Sequence, residues 1–106
     1  MVEQFFIYDE RLGINLPSLQ NDWEDYPFLE QQKILTHWET IRGNIPDRIQ
    51  NLEKHINTKQ EYLNNEDDFL KSCELNSEIA SLASIINDLW IWFRSNQTVS
   101  EAKMHG

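Results

Sequence analysis

The sequence predicts a mainly α fold: an antiparallel hairpin of one medium and one long helix, crossed by a third, shorter helix. This would be a small helical bundle with a short N-terminal extended arm or β-hairpin. Three observations predict it. The stretch from Glu66 to Arg94 contains no glycine or proline, and Leu75, Ile79, Leu82, Ile86, Leu89 and Phe93 recur in it at alternating steps of four and three. That spacing marks one buried helical seam. One segment earlier, Ile45, Ile49, Leu52, Ile56 and Leu63 keep the same rhythm, with Lys59 in the place of one expected apolar residue. The few residues around Asn64-Asn65 between the two patterns force the helices to run antiparallel.

Taken in chain order, Phe5-Phe6-Ile7-Tyr8 is a β-favouring apolar run, Asp9 to Gly13 offers turn chemistry, and Ile14-Asn15-Leu16 alternates before Pro17. A hairpin or an extended arm fits, and a lone ribbon of two strands must lie on the helices to be stable. Leu16–Asp25 holds either one short helix capped by Ser18 or an irregular acidic loop. The first long helix is expected from Pro27 to Arg42, opening on a proline suited to the first turn and closing on Gly43 as its C-cap. Ile34, Trp38 and Ile41, with Phe28 and Leu35, are read as its apolar face. The second helix opens at Pro46-Asp47 and runs to Leu63. The third opens at Glu66-Asp67-Asp68, which puts negative charge at its positive dipole end, and stops at Ser95-Asn96. Residues 97–106 are read as a flexible polar tail.

The third helix carries a second pattern. Cys73, Asn76, Ala80, Ala83 and Asn87 repeat the four-three steps beside the bulky seam, and every member is small. A helix with one bulky and one slim stripe can be approached from two sides. The alternative is that the first helix fills the slim groove. With about 18 residues in the second helix and about 29 in the third, the long helix overhangs by roughly 15 Å at its C-terminal end. That end, Leu89-Trp90-Ile91-Trp92-Phe93, is apolar around nearly its whole circumference. It must be covered by the first helix and the N-terminal arm, with Phe5, Phe6, Tyr8 and Trp38, or by a second copy of the chain.

At 106 residues the chain is expected to be one domain, with an acidic arm over residues 1–26. Twelve aromatic residues exclude a wholly disordered chain. The formal net charge is −9, and residues 1–30 carry seven acids against one base. No basic stripe is present to neutralise phosphates, which argues against nucleic acid and against an anionic membrane as partners. A basic protein partner remains compatible with this charge. No apolar run approaches the roughly 20 residues of a membrane span. The single Cys73 cannot form an intrachain disulfide, and the chain opens on no signal-like segment, so a cytoplasmic location is expected. Cys73 is read as a small buried hydrophobe rather than a nucleophile.

Catalytic chemistry finds no foothold. Ile34 and Leu52 stand three residues before His37 and His55, so the Glu-x-x-His pattern of carboxylate-bridged metal bundles is absent, as is His-Glu-x-x-His. Three glycines leave no phosphate-cradling loop. The paired carboxylates Asp67/Asp68 and Asp22/Glu24/Asp25 read as solvated caps. No enzyme activity, cofactor or metal is therefore expected.

Three features point to binding. Trp90, Trp92, Phe93 and Arg94 have the composition of an interface hot spot, or else form core. The slim stripe around Ala80 and Ala83, beside Leu82 and Ile86 of the seam, would let another helix come close, with Asn76 and Asn87 as buried amides fixing register. The turn from Ile41 to Arg48 holds two arginines that would grip a carboxylate or pair with the chain's own acids. The expected function is a non-catalytic helical interaction module, working as a homodimer with a four-helix core made by two hairpins. The alternative is an acidic inhibitor that uses residues 9–30 to occupy a basic site on another protein.

Overall fold

The computed structural model describes residues 1–95. It is mainly helical, with a two-stranded antiparallel sheet near the N-terminus. A single 3-10 turn, Val2–Phe5, leads into β1 (Phe6–Asp9), which pairs with β2 (Ile14–Pro17) in the register Phe6 to Pro17 and Asp9 to Ile14. The expected hairpin is therefore formed, rather than an extended arm. Its turn closes locally: the Asp9 carboxylate accepts from the Leu12 amide at 2.8 Å, and the Gly13 amide donates to the Asp9 carbonyl at 2.7 Å. Gly13 has φ +75°, a left-handed conformation that glycine adopts without strain.

Between Leu16 and Asp25 the only helical piece is a 3-10 turn, Trp23–Asp25, preceded by Asp22 rather than capped by Ser18. Tyr26 organises this loop. Its hydroxyl accepts from the Gln20 and Asn21 amides at 3.2 and 3.1 Å, and its ring meets Phe5 edge to face at 5.4 Å.

Helix α1 spans Phe28–Gly43, α2 spans Ile45–Asn64 and α3 spans Phe69–Arg94. The chain bends between α1 and α2 at Asn44, which has φ −92° and ψ −6°. This corrects the expectation that Gly43 ends the helix as a left-handed cap. Gly43 is the last residue of α1 with no positive φ. Pro46, which has no amide hydrogen to continue the ladder, breaks the helix instead. A bend without reversal needs no left-handed residue. Helix α3 begins three residues later than expected because Asp68 is its cap, its carboxylate accepting from the Leu70 amide at 2.9 Å. With 20 residues in α2 and 26 in α3, the length difference is about 9 Å rather than 15 Å.

Helices α2 and α3 lie side by side, and Lys59 reaches across from α2 to Glu78 on α3 at 2.7 Å. Lys59 thus turns the missing apolar position into a cross-hairpin ion pair. Packing is concentrated at one end of this hairpin. There Ile45, Ile49, Leu52 and Leu89 are buried with Leu12 and Ile14 of the β-hairpin. A second cluster joins Phe6, Ile34 and Trp38 to Trp92, Leu16 and Trp23. The Trp38 ring meets Trp92 edge to face at 5.6 Å, and Phe6 meets His37 at 4.7 Å. One side of the end of α3 is thus covered by the chain's own first helix and β-hairpin, while Ile91 on the other side stays 50% exposed. Phe28 is not part of this face and stands 70% exposed. It lies about 120° around α1 from Ile34, off the narrow stripe that Ile34, Trp38 and Ile41 share.

The opposite end of the hairpin projects free, giving a molecule 60 × 24 × 21 Å. Ile56, Leu63, Leu75 and Ile79 are there only half-buried, because two helices alone cannot enclose a seam. The tail expected over residues 97–106 lies outside the described residues.

Candidate functional site

Among the described residues, no three His, Cys, Asp or Glu side chains converge to hold a metal ion, and no helix is long and apolar enough to cross a membrane. His37 packs on Phe6, and His55 sits on the exposed face of α2. Open grooves lie on the surface of the described residues. One of about 360 Å³ at the hairpin tip is bordered by Tyr62, Lys71, Glu74 and Leu75. Another of about 560 Å³ lies between the N-terminal turn and α1, bordered by Val2, Leu29, Lys33 and His37. The first is also lined by Glu66 and Glu78 and the second by Glu3, Thr36 and Thr40, and among the described residues no side-chain hydrogen bond links His37 to Glu3, Thr36 or Thr40.

The arginines of the α1–α2 junction are engaged within the chain. Arg42 bonds the Glu39 carboxylate at 3.0 Å and the Phe93 carbonyl at 2.8 Å, and lies 5.3 Å from the centre of the Phe93 ring. Arg48 Nε donates to the Leu12 carbonyl at 3.1 Å. These two side chains tie α1 to the end of α3 and α2 to the β-hairpin.

Helix α3 organises what remains, and its faces can be separated at about 100° per residue. The inner face carries the seam: Leu89 is fully buried, and Leu82 and Ile86 are half-buried against the same core. Trp92 points to Trp38, and Trp90 meets Phe93 edge to face at 5.5 Å. Five of the residues read from sequence as interaction candidates, Leu82, Ile86, Trp90, Trp92 and Phe93, therefore pack at least partly within the chain. The other two, Ala80 and Ala83, are exposed.

The slim stripe is open along its whole length. Cys73, Asn76, Ala80, Ala83 and Asn87 are all exposed. Helix α1 does not occupy this groove, because Ile34 and Trp38 hold it at the Trp92 end. Cys73 is accordingly exposed rather than buried. The stripe extends beyond its small members. Phe69, one step of four before Cys73, is 76% exposed, and Ile91, one step of four after Asn87, is 50% exposed. From Phe69 to Ile91 this face carries no charge: Lys71, Glu74, Glu78 and Asp88 all fall outside a band of roughly 60° to either side of Ala80. At one margin, Arg11 of the β-hairpin turn bonds Asp88 at 2.8 Å and Ser84 Oγ at 2.9 Å.

Sequence reasoning found the small members of this face and missed its ends. Phe69 was hidden by placing the start of the helix at Glu66. Ile91 was absorbed into the apolar cluster around the two tryptophans. Counting the four-three steps back from Ala80 would have found Phe69, whereas forward they land on Trp90, and only a projection at about 100° per residue puts Ile91 close to the line of Ala80. Compared with protein-family models, with curated proteins and with solved structures, the chain matches none.

Proposed function

We propose that this protein is a non-catalytic helical interaction module that acts as a homodimer through its α2–α3 hairpin, with residues 1–106 working as one cytoplasmic domain. One observation carries the reading: an uncharged helical face with Phe69 and Ile91 exposed at its ends, on a chain of net charge −9. Solvated helix faces in acidic proteins are normally charged, and an uncharged strip along about six turns is the composition of a surface that is covered. The half-buried seam of the projecting hairpin adds to this, since a second hairpin would complete a four-helix core. The exposed free thiol of Cys73 suits a reducing compartment. The partner is protein, because the charge opposes both nucleic acid and anionic lipid.

Light scattering of the pure protein over a wide concentration range tests this. The expected mass is twice 12.7 kDa. Because two acidic copies repel, raising the salt concentration should strengthen association. A monomer mass throughout would overturn the reading.

A second reading is an acidic inhibitor of a basic site. Asp22, Glu24 and Asp25 favour it: all three are exposed, and none forms an ion pair among the described residues. Partner capture that collapses between low and moderate salt would support this mimic, whereas capture that survives salt would support apolar helical docking.

A further inference from the structure

Building on the homodimeric reading, we infer that α3 pairs with α3 of a second copy, antiparallel, about a twofold axis passing between Ala80 and Ala83. The pattern of the exposed face is self-complementary in that direction. From Asn76 through Ala80 and Ala83 to Asn87 the steps are four, three and four, which read the same from either end. An antiparallel partner therefore sets Ala80 against Ala83 of the second copy, and Asn76 against Asn87 of the second copy. Two alanines at the crossing let the helix axes approach to the short end of the usual range, about 8 Å. The amide pairs then lie between the helices, where each Asn can donate to and accept from the other and so fix register.

Charge selects the same direction. Arg94 is exposed and forms no ion pair among the described residues. Asp67 and Asp68 are exposed at the start of α3 and likewise form no ion pair among the described residues. Arg94 lies seven residues beyond Asn87, and Phe69 seven before Asn76. The antiparallel register thus brings Arg94 onto Phe69 and beside Asp67 and Asp68 of the second copy, twice per dimer. A parallel register would instead stack Arg94 on Arg94 and the acids on the acids. Between these ends the face carries no charge, so two acidic chains can meet along it without burying an unpaired carboxylate.

Engineered cysteines test the register. In a Cys73→Ser background, Asn76→Cys alone, Asn87→Cys alone and the double variant are oxidised with diamide and resolved on a non-reducing gel. Asn76 stands about 16 Å along the axis from its own counterpart in the antiparallel pair, beyond the span of a disulfide. The single variants should therefore stay monomeric on the gel. The double variant, and an equimolar mixture of the two single variants, should form covalent dimers. Both positions are exposed, and unchanged helicity by circular dichroism checks that the fold is intact. Self-crosslinking of Asn76→Cys alone would mean a parallel pair and overturn the inference. A light-scattering dimer that fails to crosslink in the double variant would overturn it as well, while leaving the homodimeric reading in place. A monomer mass at every concentration would overturn both.

Discussion

Trp38 of α1 and Trp92 of α3 meet edge to face, their ring centroids 5.6 Å apart. This contact joins residues 54 positions apart in the sequence and packs the chain's own first helix against one side of the apolar end of the long helix. Trp38 is fully buried, and its indole N–H has no hydrogen-bond partner among the described residues. Trp38→Ala is expected to cost about 3–5 kcal/mol, from lost burial and the cavity left behind. Trp38→Phe should cost much less, about 1 kcal/mol, because it keeps most of the aromatic burial while removing the same buried donor. Urea denaturation of both variants measures the difference. Equal losses would show that aromatic burial does not set the cost at this position.

Two glycines should respond to alanine with opposite signs. At Gly13, φ is +75° and an added Cβ would stand 2.8 Å from Arg48 Nε. Gly13→Ala should destabilise by about 1–3 kcal/mol, through the left-handed backbone and the displaced guanidinium. At Gly43, inside α1, a Cβ meets nothing within 4 Å. Gly43→Ala should stabilise by about 0.5–1 kcal/mol, by restricting the unfolded chain and favouring helix. Thermal melts of the two variants check both signs.

Leu82 tests the seam between α2 and α3. It is half-buried and packs against the core around Leu89. Leu82→Asp should destabilise by about 2–4 kcal/mol, because it removes apolar burial and places a carboxylate among apolar side chains. The denaturation midpoint and far-ultraviolet circular dichroism report this. A wild-type midpoint would mean that the seam runs elsewhere.

The Lys59–Glu78 pair should be nearly silent. The two groups are 2.7 Å apart, but their side chains are 32% and 45% exposed. A double-mutant cycle with Lys59→Met and Glu78→Gln should give a coupling of less than about 1 kcal/mol, shrinking further in salt. A larger coupling would mean that the pair is screened far less than its exposure indicates.

The helical hairpin was legible because its apolar residues keep one rhythm over long stretches, and the β-hairpin because Asp9 to Gly13 has turn chemistry between two alternating runs. The helix starts were less legible. Glu66, Asp67 and Asp68 are all plausible caps, and only the Asp68 carboxylate turns back to bond an amide of the first turn. At Gly43, local preference suggested a left-handed cap, but Pro46 two residues after Asn44 decides the break. The openness of the slim stripe was not legible at all. Whether α1 would lie in that groove or at the Trp92 end depends on how Asn44 bends the chain, and that is a tertiary matter. Likewise, the bond from Arg11 to Asp88 spans 77 residues, beyond anything local patterning can report.

Sedimentation equilibrium of the wild-type chain beside Ala80→Arg tests the central claim most directly. The wild-type protein should sediment at twice its 12.7 kDa chain mass. Ala80→Arg puts a charge and a long side chain at the point of closest helix approach, and should sediment as a monomer with unchanged helicity. A wild-type monomer at all concentrations, or a dimer that tolerates Ala80→Arg, would contradict the account.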